Sequence, residues 1–408
     1  IFKPAMIGGT MSELKDAVIC FGARTPIGKY RGALSNYSAI ELGIMSVKEV
    51  LSRASITPES GVIDELIMGQ VLQAGSGQAP ARQVALGAGL PISTPAYTIN
   101  KVCGSSLKAV MLAANSIRSG EYNCIIAGGM ESMTNAPKLV FNAKRGEPVP
   151  PEDLVNSMIH DGLWDIYNDV HMGITGEIVA EEFELERKEI DQFSLDSHMK
   201  ASRAWENGWF DEETFTVKGK TREGDEFNLE RDEGVNTNCT LEQLNDMKTA
   251  FKKDGVVTAG NASQLSDGSS AVLIAESNFA KEMGWPIIAK IVDYNTSGLE
   301  PERVMSAPIP CIKTLLERNS LDVDDVDVYE HNEAFASASC AVAKGVGIKN
   351  EKLNLHGGAV SLGHPIGASG SRCLLTMIYA MKRTDASKGI VSLCLGGGNA
   401  VGMLIQTD

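Results

Sequence analysis

The chain has 408 residues, enough for two or three domains that each bury their own core. With 43% hydrophobic and 22% charged residues, its composition is that of a globular protein and excludes a disordered or collagen-like chain. A net charge of −15 argues against a broad surface for nucleic acid or anionic membrane, because both need concentrated basic residues.

The chain contains no apolar run of about 18 residues and no export signal, so we expect a cytoplasmic protein without membrane contact. Residues 1–10 precede Met11 and are interpreted as a leader or tag remnant outside the fold. The eight cysteines are scattered without a Cys-x-x-Cys pair. This spacing argues against a structural metal site, and a chain of this size needs no disulfide framework.

Short β-branched runs alternate with segments of helical period from the start of the chain. The pattern predicts a strand at 17–20, a helix at 40–54, a strand at 65–69 and a helix at 81–89. Such alternation is typical of an α/β fold with buried sheets.

One αβ unit occurs twice. After a strand at 96–102, Cys103 precedes a predicted helix at 107–119, a strand at 124–127 and a turn at 128–132. Near the end of the chain, small residues at 367–370 precede a helix at 371–382, a strand at 389–394 and a turn at 396–399. Either small-residue helix starts recur by chance, or the core is duplicated and residues from both halves meet in one cleft.

The composition changes between the two copies, where residues 135–257 are richer in charged residues and methionine. We interpret this segment as an inserted loop domain, which either covers a substrate or serves only structure. The N-terminal half then comprises 11–134 plus about 258–288, and the C-terminal half comprises 289–408.

Cys103 is the first candidate for chemistry. It lies between a strand and a helix that begins with Gly-Ser-Ser, and the helix dipole is expected to lower its pKa and favour the thiolate. The alternative is a small buried hydrophobic residue, the usual role of a cysteine.

Three further segments carry candidate groups. His364 stands between Gly363 and Pro365, where a fixed backbone leaves the ring free to act as a base, although most single histidines are structural. Cys394 ends a predicted strand before a Gly-Gly-Gly segment. The backbone N–H groups of that segment, including that of Gly396, could stabilise an oxyanion. The alternative is that the three glycines only form a tight turn. Asn332 follows a predicted strand at 326–330 and could orient a water or an acyl oxygen, or cap a helix.

In combination, these segments resemble the thiolase family. The resemblance rests on Asn-Glu-Ala-Phe at 332–335, Gly-His-Pro at 363–365, Cys-Leu-Gly-Gly-Gly at 394–398 and the Asn-Lys-Val-Cys-Gly-Ser that contains Cys103. Further matching segments occur at 24–28, 77–83, 127–133 and 258–263, so the resemblance covers nearly the whole chain after Met11. It implies a thiolase fold, in which two duplicated αβ halves form a layered αβαβα core.

The resemblance also implies roles for the candidate residues. Cys103 would be the nucleophile that is acylated, and Cys394 would exchange a proton with the substrate α-carbon or the departing thiol. His364 would activate Cys103 and form one oxyanion hole with a water held by Asn332. The N–H groups of Cys103 and Gly396 would form the other.

The implied substrates are acetyl-CoA, acetoacetyl-CoA and CoA, with no metal and no other cofactor. His171-Met172-Gly173 resembles the short-chain, biosynthetic branch of the family, in which the insertion narrows the acyl pocket. The residues expected to line the pantetheine tunnel and that pocket are Leu163, His171, Met172, Phe251, Ser263, Ala334 and Phe335. The resemblance further implies a homo-oligomer, a tetramer of paired dimers.

A longer-chain 3-ketoacyl-CoA thiolase is the first alternative. A β-ketoacyl synthase would share the architecture and Cys103 but would not need Cys394. A binding protein without activity would be expected to lack one of the reactive residues, and a cysteine hydrolase would leave the Asn-Glu-Ala-Phe and Gly-Gly-Gly segments unexplained.

Two details are left as predictions. Contacts to the CoA nucleotide are expected from Lys248, Lys252 or Lys253, because segment 236–241 has no arginine where several bacterial thiolases have one. Cys103 and Cys394 are expected to approach closely enough to form a reversible disulfide.

Overall fold

The computed structural model describes residues 14–142, 148–221 and 223–407. The segment interpreted as a leader therefore lies outside the described residues. The first part of the chain alternates strands with helices, as the sequence predicts. Its elements are β1 (Ala17–Arg24), β2 (Gly28–Lys29), α1 (Ala39–Arg53), β3 (Glu65–Gly69), α2 (Pro80–Gly87), β4 (Ala96–Ile99), α3 (Ser105–Arg118) and β5 (Cys124–Ser132).

The middle part contains short strands that pair among themselves as three two-stranded sheets, together with helices. Its elements are β6 (Lys138–Leu139), β7 (Val155–Asn156), α4 (Ser157–Gly162), β8 (Trp164–Asp165), β9 (Val170–His171), α5 (Met172–Glu182), α6 (Arg187–Glu206), β10 (Val217–Lys220), β11 (Glu226–Leu229) and α7 (Leu241–Asn245).

The last part returns to long strands and buried helices. Its elements are β12 (Ser266–Glu276), α8 (Ser277–Glu282), β13 (Ala289–Gly298), α9 (Pro308–Arg318), β14 (Val328–His331), α10 (Ala336–Val346), α11 (Ala359–Leu362), α12 (Ser369–Thr384), β15 (Lys388–Leu395) and β16 (Asn399–Gln406).

The long strands form two sections of one sheet, in the orders β4-β3-β5-β12-β1 and β13-β16-β15-β14. The sections join where Val18 and Ile19 of β1 pair with Lys290 and Ala289 of β13. Strand β12, which follows the middle part of the chain, lies between β1 and β5 in the first section.

Alternate side chains of each strand face opposite layers of helices. In β5, Ile125 packs in the core that contains α3 and α12, whereas Ile126 packs against α1 and α2. In β15, Val391 faces α3 and α12, and Ile390 faces α9 and α10. The order of layers is therefore helix, sheet, helix, sheet, helix, which confirms the predicted αβαβα fold.

The two repeated helices, α3 and α12, form the middle layer and meet at their N-termini. A Cβ on Gly370 would lie 2.4 Å from the Leu107 nitrogen, so only glycine permits this approach. The Ser371 N–H donates to the Ser106 hydroxyl at 2.9 Å. The segments that carry Cys103 and His364 are thus brought to one place.

A buried ion-pair network ties the middle part of the chain to β1. Arg24 bonds Glu213 at 2.6 Å and Asp232 at 2.7 Å, with all three side chains almost fully buried. Asp232 also accepts the Ile27 N–H at 2.7 Å. Breaking such a pair would leave a buried charge uncompensated, so the network holds this segment against the first sheet section.

Several local predictions differ from the structure, among them the strand predicted at 96–102, which ends at Ile99. Residues 128–132 were predicted as a turn, but they continue β5, where they pair with β12 in regular register. A Cβ on Gly128 would lie 2.2 Å from the Ser270 oxygen, so glycine here serves close strand packing rather than a turn. The strand predicted at 326–330 begins two residues later, at Val328.

We predict that Gly129→Ala destabilises the protein by about 3 kcal/mol, because its Cβ would lie 2.0 Å from the Gly367 backbone oxygen and force two backbones apart. Gly298→Ala is the matched strand control, since no atom lies within 4 Å of its Cβ position. The measurement is urea unfolding of both variants. Equal midpoints would contradict the predicted backbone clash.

Candidate active site

A cavity of about 240 Å³ lies between the two halves of the core and the middle part of the chain. Its lining is mainly apolar, and it contains all but one of the site residues predicted from the sequence. These are Cys103, Leu163, His171, Met172, Phe251, Ser263, Ala334, Phe335, His364, Cys394 and Gly396. The remaining one, Asn332, lies behind the wall and reaches His364.

Cys103 stands on a sharp turn between β4 and α3. The preceding residue, Val102, has φ +46°, a conformation rarely adopted by a β-branched residue. The Ser105 hydroxyl accepts the Lys101 N–H at 2.8 Å and donates to the Val102 oxygen at 2.6 Å, which holds the turn closed. The strained turn directs the partly exposed Cys103 into the cavity.

The thiol of Cys103 does not have the lowered pKa expected from its helix N-terminus. Burial raises its pKa to about 12, and the charge of Glu131 adds to this effect. Its own N–H and the N–H of Gly396 favour the thiolate but do not offset the loss of water. The prediction was wrong in sign because α3 begins inside the molecule, where desolvation outweighs the helix dipole.

His364 is held neutral in the cavity wall. Burial, with a smaller contribution from the Arg372 charge, lowers its pKa to about 3. Its Nδ1 lies 2.6 Å from the Ser369 hydroxyl, and its Nε2 lies 3.4 Å from the Asn332 amide nitrogen. A neutral imidazole can accept a proton, so the ring can serve as a base toward a thiol.

Cys394 lies near the end of β15, in the second copy of the repeated unit, whereas Cys103 lies in the first copy. Burial, followed by the nearby Cys103, raises its pKa well above the usual range. Its thiol donates to the Met305 sulfur at 3.7 Å. Both cysteines are free thiols that line one cavity, and the disulfide between them stays a prediction.

The middle part of the chain supplies an aromatic wall. His171 stacks on Phe251, with ring centroids 4.6 Å apart, and Phe251 meets Phe335 edge to face. The His171 Nδ1 accepts the Gly173 N–H at 3.0 Å, and burial lowers the pKa of the ring. A neutral His171 therefore narrows the cavity as a packed ring.

Several lining residues were not predicted, because they carry no reactive group and come from distant segments. These are Val102, Met133, Ile159, Gly162, Ala262, Gln264, Leu265, Val304, Met305, Ile366 and Leu395. Glu131 lies in the matching segment at 127–133, and the sequence does not predict its role. It accepts the N–H groups of Val71, Leu72 and Gly367, and so joins β5 to the loop of His364.

Two further histidines and the lysines predicted to contact the CoA nucleotide lie outside the cavity lining. His331, next to Asn332, is buried, and its Nδ1 lies 3.0 Å from the Ser392 hydroxyl. His356 packs against Trp209 and accepts a hydrogen bond from Arg383. Lys252 pairs with Glu181. The predicted nucleotide contacts of Lys248, Lys252 and Lys253, all exposed, stay predictions.

A duplicated αβαβα core with two cysteines and a histidine around one mainly apolar cavity is an arrangement that fits enzymes acting through a thiol nucleophile. The chain matches the model of the thiolase N-terminal domain over residues 17–278 and that of the thiolase C-terminal domain over residues 285–407. It belongs to the thiolase family.

The chain is similar over nearly its whole length to curated bacterial proteins. It is 46% identical to an acetyl-CoA acetyltransferase of Cupriavidus necator, over 96% of this chain and 100% of that protein. It is 44% identical to an acetyl-CoA acetyltransferase of Pseudomonas aeruginosa, over 97% and 100%. The crystal structure of human mitochondrial 3-ketoacyl-CoA thiolase matches with a TM-score of 0.92 and 34% identity, over 97% of this chain and 100% of that one.

Within the described ranges, none of the helices is both long enough and apolar enough to cross a membrane.

The raised pKa of Cys103 can be tested by titration. We predict that the ultraviolet thiolate absorbance of the wild type minus that of Cys103→Ala stays flat between about pH 6 and pH 9, because a thiol with a raised pKa keeps its proton in this range. A thiolate step below about pH 8 would show that the helix dipole dominates after all.

Proposed function

We propose that the protein is an acetyl-CoA C-acetyltransferase, which reversibly condenses two molecules of acetyl-CoA to acetoacetyl-CoA and CoA. The observation that carries this proposal is the convergence of Cys103, His364, Cys394 and Gly396 on one mainly apolar cavity. The two bacterial acetyl-CoA acetyltransferases, similar over their whole length, support the same activity.

In the first half-reaction, the Nε2 of His364 takes the proton of the Cys103 thiol, and the sulfur attacks the acetyl carbonyl. The tetrahedral intermediate collapses with cleavage of the bond to the CoA sulfur. The proton returns from His364 to the departing sulfur, which leaves acetyl-Cys103 and free CoA. A neutral imidazole suits this sequence, because it is regenerated at the end.

In the second half-reaction, the Cys394 thiol gives its proton to the neutral His364, and the resulting thiolate removes an α-proton from a second acetyl-CoA. The resulting carbanion attacks the acetyl carbon, and the bond from that carbon to the Cys103 sulfur breaks. His364 returns its proton to the Cys103 sulfur, and Cys394 keeps the α-proton, so both thiols and the neutral ring are restored. Desolvation makes the Cys394 thiolate a stronger base, which favours removal of a weakly acidic C–H proton.

Two sets of donors are available for negative charge on oxygen. The N–H groups of Cys103 and Gly396 lie together against the Cys103 sulfur, where an oxyanion on the acylated cysteine would develop. His364 and the Asn332 amide form a second set. Each donor removed from such a site costs about 10²–10³ in rate in other acyl-transfer enzymes.

The acyl chain length is the part of the proposal with a direct competitor. The stack of His171 on Phe251 and the position of Met172 favour a short acyl group, because they close the cavity from the side of the middle segment. The similarity to human mitochondrial 3-ketoacyl-CoA thiolase favours the longer-chain alternative. A cytoplasmic location, expected from the sequence, and a tetramer of paired dimers, implied by the family resemblance, are also proposed.

The division of labour between the cysteines can be tested by mass spectrometry after incubation with acetyl-CoA. We expect an acetyl adduct on the peptide of Cys103 in the wild type and in Cys394→Ala, and none in Cys103→Ala. Condensation should fall by about 10³-fold in Cys394→Ala, the range of a lost acid–base group.

Cys239→Ala is the matched control, since Cys239 is also partly exposed but lies outside the cavity lining. It should keep both the adduct and condensation. An adduct that persists in Cys103→Ala would contradict the proposed nucleophile. Full condensation in Cys394→Ala would favour a β-ketoacyl synthase type of reaction.

Chain length can be tested with Met172→Ala. We predict that the ratio of kcat/KM for 3-ketooctanoyl-CoA to that for acetoacetyl-CoA rises about tenfold, because a shortened side chain leaves room for more methylene groups in the cavity. Met199→Ala is the control, because Met199 is 61% exposed. A wild-type preference for the longer substrate would favour the longer-chain alternative.

A further inference from the structure

Helix α12 presents two polar side chains to the site from behind. Ser369 and Cys373 are four residues apart and therefore share one face of the helix. The Ser369 hydroxyl lies 2.6 Å from the Nδ1 of His364, and the Cys373 sulfur lies 3.7 Å from the Oδ1 of Asn332. Both side chains are fully buried. Neither belongs to the cavity lining, so each acts on the site only through its partner.

The hydroxyl of Ser369 has a single hydrogen, and its neighbours determine where that hydrogen points. The carbonyl oxygen of Pro365 lies 2.9 Å away and can only accept. The hydroxyl hydrogen therefore goes to Pro365, and the hydrogen in the contact with His364 must come from Nδ1. In a neutral ring with hydrogen on Nδ1, the Nε2 atom carries a free lone pair.

Cys373 determines the orientation of the Asn332 amide, which is the partner of His364. Its S–H donates to the Oδ1 of Asn332, which turns the amide nitrogen toward the Nε2 of His364 at 3.4 Å. The opposite amide orientation would place Oδ1 against the Nε2 lone pair and leave the Cys373 S–H facing a donor. The two contacts therefore agree on one arrangement, with a donor of Asn332 facing the lone pair of His364.

We propose that Ser369 and Cys373 are positioning residues that determine the tautomer of His364 and the amide orientation of Asn332 before substrate binds. In this arrangement Nε2 carries the lone pair that accepts the proton of Cys103 and later gives it to the departing sulfur, and the Asn332 N–H faces Nε2. The kinetic part of this proposal rests on the proposed function, whereas the tautomer does not.

The tautomer is tested directly with protein labelled with ¹⁵N-histidine. The resonances of His364, one of six histidines, are identified by their loss in His364→Asn. In the wild type we expect the Nδ1 of His364 to have the shift of a protonated nitrogen and Nε2 that of an unprotonated one. In Ser369→Ala we expect Nε2 to become protonated in part or fully. A protonated Nε2 in the neutral wild-type ring would overturn the proposal, whatever the enzyme's activity.

Kinetics tests the consequence of the arrangement. Ser369→Ala should lower kcat for acetoacetyl-CoA cleavage about 10- to 100-fold with KM nearly unchanged. The reason is that a protonated Nε2 of His364 cannot act as the base, whereas substrate binding is not affected. Cys373→Ala should lower kcat about threefold to tenfold. Ser369→Thr and Cys373→Ser, which keep the acceptor and the donor respectively, should restore most of the rate.

Thr376→Val is the matched control on the same helix. It removes a fully buried hydroxyl that donates to Glu213 at 3.0 Å and does not reach His364. If Ser369→Ala and Thr376→Val lose equal activity with an unchanged His364 tautomer, the role of Ser369 is structural and the proposal fails. A tautomer that shifts as expected in a chain without condensation or cleavage activity would support the positioning role and contradict only the proposed function.

Discussion

The close approach of α3 and α12 is the constraint on which the site depends. The two helices begin side by side in the middle layer, and the glycines there leave no space for a side chain. Cys103 precedes the first helix and His364 precedes the second, so the packing of the repeated unit brings them into one cavity. Gly129 and Gly367 approach closely as well, and the Glu131 carboxylate of β5 accepts the Gly367 N–H, so β5 and the His364 loop are held together.

Burial then determines the charge of the groups that this packing assembles. The thiols of Cys103 and Cys394 and the ring of His364 all favour their neutral forms, because each would lose hydration on ionising. Charge therefore forms only during the reaction, where the N–H groups around Cys103 and the amide of Asn332 are available to stabilise it. Donors that are already in place are worth more in such an environment than in water.

The sequence predicted the features that depend on local pattern. Alternating strands and helices, the repeated unit and the chemistry-bearing residues at helix starts and strand ends all follow from neighbours along the chain. The residues predicted to be catalytic or to line the acyl pocket, other than Asn332, line one cavity, to which both repeats and the middle part of the chain contribute. The domain boundaries stay a prediction.

Features that depend on distant contacts could not be predicted. The sign of the Cys103 pKa shift follows from how deeply α3 is buried, and a helix start in sequence carries no information on that depth. The left-handed conformation of Val102 has no signal, because valine is a residue that normally avoids it. The roles of Glu131, Ser369 and Cys373 required the positions of partners from other segments.

The apolar lining of the cavity bears on the lifetime of an acylated Cys103. A thioester can be hydrolysed, and hydrolysis of acylated Cys103 would remove the acyl group before the second substrate binds. Side chains such as Met133, Ile159, Leu163 and Ile366 offer a water molecule few partners, so a nucleophilic water is poorly held beside the sulfur. The wall that shapes the substrate site would thus also protect the intermediate from the solvent.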